Sequence, residues 1–222
     1  MTAIVQVFIR NCSNKDREDI RKICYKTGYM GEDLTGKELF NDQKLFGYLF
    51  CLYYLMYELQ HCFVAENTEI GRVVGYVIGT DDSEKQYSQF RKKMIPRIVL
   101  RVLMVSWWKY PESFRMIRHL QKLEEGSTET ISIEKDYPAH LHINVLSDYQ
   151  GIGVGSRLLE KFEQHMEDLK VPGIHLGTSS KNVKAIPFYR KHGYKVIHEQ
   201  EGAMWPGETG VKGLIFAKKL KN

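Results

Sequence analysis

Cysteine is scarce: the 222 residues hold four, Cys12, Cys24, Cys51 and Cys62, with no C-x-x-C pair and no histidines at zinc-finger spacing. That argues against a disulfide scaffold or a structural zinc site and for reduced thiols in a cytoplasmic setting. The start of the chain lacks the basic segment, apolar core and small-residue cleavage site of a secretory signal. Long apolar runs are missing too. The longest, Leu45 to Tyr57, falls well short of the roughly 18 residues that a membrane span needs. There is no G-K-[S/T] phosphate loop, no internal repeat and no low-complexity tract. With 43% hydrophobic and 27% charged residues, the composition is that of an ordinary globular protein. The length suits one domain, residues 1–222, with a substantial core.

One region is nearly free of acids. Between Lys85 and Lys122, ten Lys and Arg stand against Glu112 alone, in a chain whose net charge is +5. Such a segment attracts anions: coenzyme phosphates, an acidic substrate, a lipid surface or nucleic acid. Trp107, Trp108 and Tyr110 lie among the charges, as stacking surfaces would. Yet Ile98 to Val105 is apolar enough to be expected in the core, and no nucleic-acid motif accompanies it, so nucleic acid is not the expected partner.

Periodicity predicts the elements. A first strand covers Ile4, Val5, Val7, Phe8 and Ile9, followed by a helix over Asn14 to Thr27 with apolar Ile20, Ile23 and Cys24. After the loop Gly28 to Gly36 comes a second helix of roughly twenty residues ending near Leu59. Cys62 to Ala65 and Val73 to Ile78 form a hairpin. A helical insertion, at about 83–130, interrupts the strand series and is cut by Pro96 and Pro111. Strands at Ala139 to Leu146, Ile174 to Thr178, Tyr194 to Glu199 and Val211 to Leu220 frame helices at Gly153 to Leu169 and Asn182 to His192. The Gly153 helix is strongly amphipathic, with Leu158, Leu159, Phe162, Met166 and Leu169 on one stripe.

Directly after one strand stands Gln150-Gly151-Ile152-Gly153-Val154-Gly155-Ser156, and then a helix. Glycines permit positive φ and close ligand approach, and a helix start presents unpaired N–H groups to phosphate oxygens. A dinucleotide fold uses the same physics. Here, however, the turn comes late in the chain and no acidic residue follows at a strand end about twenty residues on. Gln150-x-x-Gly153-x-Gly155 resembles the Q/R-x-x-G-x-G/A motif of the GNAT superfamily of N-acetyltransferases. Asn182-x-x-Ala185-x-x-Phe188-Tyr189-x-x-x-Gly193-Tyr194 resembles a second segment of the same superfamily, in the expected order. More narrowly, Tyr137 to Ile143 and Gly173 to Gly177 are similar to acetyltransferases related to the domain attached to some O-GlcNAc hydrolases. The likeness covers nearly the whole chain except the insertion. Ser147 departs from the proline usual after this strand.

The resemblance implies an α/β (α+β) GNAT fold: a mixed, mostly antiparallel sheet splayed at the cofactor strand and flanked by helices. It implies acetyl-CoA as cosubstrate and an amine acceptor, small molecule or peptide, attacked directly in a ternary complex. Val145 and Leu146 are expected to offer backbone contacts to the pantetheine, with a donor near Val145 for the developing oxyanion, a kind of contact worth about 3 kcal/mol. Gln150, Gly151, Ile152, Gly153, Val154, Gly155 and Ser156 are expected to hold the pyrophosphate and Asn182 the pantetheine. Tyr189 matches the tyrosine that protonates the coenzyme A sulfur, and a phenol of pKa near 10 suits a thiolate near 8.5. Pro187 falls inside the expected helix, where it removes a hydrogen bond unless the helix starts late.

For the base, His140 and His142 share the polar face of their strand with Asn144, opposite Ala139, Leu141, Ile143 and Val145. The other reading is a pair of structural, hydrogen-bonded histidines. A metal is not expected, because no carboxylate or cysteine accompanies His140, His142 and His175 at ligand spacing. The alternative function is a non-catalytic acyl-CoA-binding or interaction module. The loops at Gly28 to Gly36 and around Trp205, with the insertion, are the expected substrate-facing variables. A homodimer is left open.

Overall fold

Alternating and doubly apolar runs become the seven strands of one sheet in the computed structural model, which describes residues 6–126, 133–202 and 204–221. The strands are β1 (Val7–Asn11), β2 (Phe63–Asn67), β3 (Arg72–Thr80), β4 (Ala139–Val145), β5 (Gly173–Ser179), β6 (Lys195–Glu201) and β7 (Lys212–Lys219), in the order β1-β2-β3-β4-β5-β7-β6. The expected residues Ile4 and Val5 of the first strand lie outside the described residues. Neighbours are antiparallel except β4 and β5, which run parallel. β3 is central and reads as a continuous apolar run because both of its faces are covered.

Helices cover both faces. On one lie α1 (Arg17–Lys26), α2 (Gln43–Phe50), α3 (Leu52–Tyr57) and the insertion helices α4 (Ser83–Lys93), α5 (Ile95–Arg101), α6 (Trp107–Lys109) and α7 (Pro111–Gly126). Ile20, Phe46, Tyr54, Tyr76, Ile78 and Trp205 share this core. On the other face, α8 (Val154–Asp168) and α9 (Ala185–Lys191) pack Leu158, Phe162 and Tyr189 with Val77, Leu141 and Phe216.

Three expectations are corrected. The single second helix is two, α2 and α3, separated at Cys51, whose φ of −136° leaves the helical region. Cys51, Tyr53, Tyr54 and Leu55 are all buried, which one straight amphipathic helix with a single apolar stripe does not allow. The helix expected from Asn182 begins at Ala185, after the Asn182 Oδ1 accepts from the Ala185 N–H at 3.2 Å. Pro187 therefore sits in the first turn, where its missing N–H had no helical partner to lose. Finally, the apolar run Ile98 to Val105 does not pack as a whole: Ile98 is buried, but Val99, Leu100, Leu103 and Met104 are exposed. Pro96 and Pro111 do fall at helix starts, in α5 and α7. Residues 127–130 of the expected insertion lie outside the described residues.

The insertion is clamped to the main body through Asp42. This carboxylate accepts from Arg101 (2.7 Å) and Ser106 (2.7 Å) while capping α2 through the Leu45 N–H (3.0 Å). Burial works against its ionisation, but those hydrogen bonds win and hold its pKa below the usual value.

Close approach fixes one glycine. A Cβ on Gly79 of β3 would lie 2.3 Å from the His140 carbonyl oxygen and 2.6 Å from the Phe162 ring. Neither strand backbone nor core ring can yield cheaply, so Gly79→Ala should destabilise the fold by about 3 kcal/mol, the upper end for overpacking. Urea unfolding measures it. A loss below about 1 kcal/mol would mean that β3 and α8 are less tightly apposed.

Candidate active site

β4 and β5 pair at Ala139–Ile174 and His140–His175, then diverge, while β4 stays paired with β3 as far as Val145–Gly75. A wedge opens along the second half of β4. Antiparallel pairing sends alternate backbone groups to opposite edges of a strand. The Leu146 N–H donates to Val74 (2.9 Å) on the β3 side, so the Val145 N–H faces the wedge. The Leu146 carbonyl accepts from Tyr149 (2.9 Å). Both backbone groups of Leu146, expected to face the pantetheine, thus have partners within the chain. The Gln150 side chain donates to the Val145 carbonyl at 2.9 Å, tying the glycine turn to the strand end.

The turn itself is built on conformation. Gly151 and Gly153 have φ of +77° and +85°, and nothing lies within 4 Å of a Cβ placed on either. Backbone strain, not crowding, is what requires glycine there. Gly155 differs: a Cβ would touch the Phe188 ring at 3.4 Å. The first bond of α8 runs from the Arg157 N–H to the Gly153 carbonyl (3.1 Å). The N–H groups of Val154, Gly155 and Ser156 thus have no partner within the helix, at its positive end. The Val154 side chain is buried in the core and Ile152 is exposed, and neither of these expected site residues lines the cavity beside the turn.

A cavity of about 670 Å³ occupies the wedge, lined by Val145, Gln150, Gly153, Ser156, Asn182 and Tyr189 among others. Lys184, Lys191 and His192 also line it. The two lysines bring cations to its lining. Lysine is common on surfaces, and no spacing signal could have singled them out. The Tyr189 ring is buried between Phe188, Tyr194 and Phe216, and burial raises its phenol pKa well above the usual 10.

A second cavity, of about 400 Å³, lies on the helical-insertion side of the sheet and meets the first at Thr27, Gly31, Asn144 and Asn182. Met30, Phe46, Phe50, Met204 and Trp205 make its walls apolar. Lys212, its one charged lining residue among those described, is paired with Glu199 at 3.0 Å. The expected Gly28 and Trp205 loops do face this space. No described residue of the insertion lines either cavity, which overturns the expectation for that segment.

Of the histidine pair, His142 lines the second cavity and His140 lines neither. His140 Nδ1 meets the Tyr54 hydroxyl at 3.1 Å, and its ring lies 4.8 Å from that of His142 and 5.0 Å from that of His175. Burial, then the His142 and His175 charges, lowers the His140 pKa well below its ordinary value. Burial, then His175, lowers that of His142 to about 4. Both shifts favour the uncharged imidazole. The described residues with metal-ligand spacing lie elsewhere: Glu58, His61 and Asp81, none of which lines either cavity.

The family model described as the acetyltransferase (GNAT) family matches residues 34–194. S-alkylcysteine N-acetyltransferase of Bacillus subtilis (strain 168) is 40% identical over 78 residues, 34% of this chain and 42% of that protein. The uncharacterized N-acetyltransferase YjcF of the same organism is 36% identical over 59 residues, 27% of this chain and 40% of that protein. The matched stretch spans less than half of either curated relative. The crystal structure of SsHAT superposes with a TM-score of 0.75 at 27% identity, covering 98% of this chain and 100% of that one. The structure of yncA from Salmonella typhimurium, with its cofactor acetyl-CoA, shares the fold: TM-score 0.59, 14% identity, 98% of this chain and 95% of that one.

Unfolded histidine has a pKa of about 6.5, so the buried histidines take up protons when the chain unfolds in acid. The stability from keeping His142 neutral is whole above about pH 6.5 and is lost as pH falls toward 4. Denaturant midpoints should fall through that window, and His142→Gln should flatten the slope. An unchanged slope would mean that His142 titrates normally in the folded protein.

Proposed function

The chain belongs to the acetyltransferase (GNAT) family, and on that premise we propose that it moves the acetyl group of acetyl-CoA to a primary amine by direct attack in a ternary complex. The observation that carries this is the meeting of two cavities at Asn144 and Asn182: one flanked by lysines and the more polar of the two, the other walled by apolar side chains. Two substrates entering from opposite faces of the sheet would join there. The residues present fit coenzyme A: unpaired α8 N–H groups with Lys184 and Lys191 for phosphates, and the wedge beside Val145 and Asn182 for an extended arm.

Acetyl-CoA, when bound, supplies an activated acyl group. The chain then has three tasks. The Val145 N–H, oriented by the β3–β4 pairing, would donate to the acyl oxygen. Tyr189 holds a proton on its hydroxyl at any physiological pH and can deliver it to sulfur. Its raised pKa weakens it as an acid, but the same dry surroundings raise the proton affinity of a nearby thiolate. His142 offers a neutral imidazole that aligns an uncharged amine; the proton that the nitrogen sheds on acylation passes to solvent and the tyrosinate left on Tyr189 regains one there, so that one proton moves net from nitrogen to sulfur.

The acceptor cavity selects the amine. Its apolar walls favour an amine on an apolar body over polycationic acceptors, since no carboxylate among the described lining residues would meet additional charges. The S-alkylcysteine acceptor in the name of one relative is an amine of this kind.

Two variants test the reading. Acetyl-CoA should raise the melting temperature by mass action, and Gly153→Val, which forces a branched side chain into φ +85°, should abolish the rise. Tyr189→Phe should keep the rise but lower kcat roughly 10²-fold while changing KM for acetyl-CoA little. Thiol release against an amine panel supplies the assay. Binding of acetyl-CoA with no release from any amine would favour a non-catalytic acyl-CoA-binding module.

A further inference from the structure

The outer face of the insertion is apolar and uncovered. From Ile95 to Lys109 the chain is helical throughout, as α5, a π-helical turn (Val102–Ser106) and α6. Every fourth residue shows the pattern. Ile95, Val99, Leu103 and Trp107 form one column, exposed by 41%, 49%, 64% and 58%. Beside it Leu100, Met104 and Trp108 are exposed by 62%, 66% and 61%. The column on one flank holds Arg97, Arg101 and Lys109, and the inward column holds buried Ile98 and Ser106. A regular α-helix drifts by about 40° for each step of four residues, which would carry Trp107 well round the axis from Ile95. The wider π turn in the middle takes up that drift and keeps the stripe on one side. Soluble proteins seldom leave so large a contiguous apolar surface uncovered unless something binds it.

We infer that this face lies flat on an anionic lipid bilayer, with Trp107, Trp108 and the aliphatic stripe in the headgroup boundary and the surrounding cations on the lipid phosphates. The charges choose the occupant. Exposed Arg91 and Lys92 on α4, Arg97 and Lys109 beside the stripe, and Arg115 and Arg118 on α7 surround it, with Glu112 the sole acid between positions 85 and 122. An apolar stripe with tryptophan and a basic border is the composition of interfacial helices, which bind through area and anionic attraction together. A second copy docked about a twofold axis would bring two basic borders together, where like charges repel. Among the described residues no helix is long and apolar enough to cross a membrane, so the contact is superficial. Neither cavity opens through this face, so a docked protein keeps both. The inference is independent of the acetyl-transfer reading.

Co-sedimentation of the full chain with vesicles of phosphatidylcholine, alone or mixed with phosphatidylserine, tests it. Binding should be strong to the mixed vesicles, weak to phosphatidylcholine alone, and reduced by salt. Tryptophan emission should shift to the blue on binding; Trp205 is 1% exposed, so the shift reports Trp107 and Trp108. Leu103→Glu with Trp107→Glu should cut the bound fraction at least tenfold with the melting temperature retained. Should that variant fail to fold, Arg97→Glu with Lys109→Glu, which leaves the stripe intact, should cut binding to the mixed vesicles similarly. No binding to the mixed vesicles, or equal binding to both kinds that ignores the charge reversals, overturns the proposal. So does a dimer in sedimentation equilibrium that Leu103→Glu dissociates, since a second copy then covers the face. Binding to an acidic polypeptide or oligonucleotide that vesicles fail to displace overturns it as well.

Discussion

β4 and β5 share two paired positions before they part, and the site depends on where that parting falls. Each strand is held on its far side, β4 by β3 and β5 by β7, along its length. The sheet is thus two rigid halves joined at a short seam. Beyond the seam, backbone groups that would have met a neighbouring strand face the wedge instead. Buried backbone groups need partners, so the wedge is suited to an extended chain that can supply them. The glycine turn stands where this wedge reaches the start of α8, which brings helix N–H groups to its wide end. On the proposed reading, fold and cofactor site are one geometric feature.

The same seam explains the electrostatics. His140 and His175 face each other across it, with His142 and Tyr54 packed alongside. Enclosure that holds the strands together strips water from these rings and depresses their pKa values, while Tyr189 on the opposite side of the sheet is pushed upward. Both shifts keep the group uncharged. On the proposed reading the cleft works by holding neutral partners in line, and charge appears only as acyl transfer proceeds. An apolar acceptor cavity fits that scheme, because it too favours an uncharged amine over an ammonium.

What could be read from the sequence was local. Gly151 and Gly153 announced the turn because positive φ restricts the residue type. The amphipathic stripe of α8 and the hairpin of β2 and β3 follow from periodicity within a single element. The Cys51 break carries no glycine or proline to mark it and arises from burial on several sides. Tyr54, partner of His140, is 86 residues away in sequence. Nothing in the local pattern could bring that pair together or foretell the drop in histidine basicity. Apolar Val99 to Met104 looked like core for the same reason: composition does not say which face of a helix has a neighbour.

Asp42 joins these parts physically. Its carboxylate holds Arg101 and Ser106 of the insertion and caps the helix that carries Phe46 and Phe50 into the wall of the second cavity. A buried carboxylate so fully bonded resists displacement, since removing one partner leaves an uncompensated charge. The insertion and the wall of the second cavity are therefore fixed relative to each other, not loosely tethered. If the outer face of the insertion rests on a bilayer, the clamp sets the orientation of the acceptor mouth with respect to that surface. An amine with an apolar body partitions toward the same boundary. Docking and acceptor choice would then draw on one physical preference, linked through the hydrogen bonds of Asp42 and the core packed beside it.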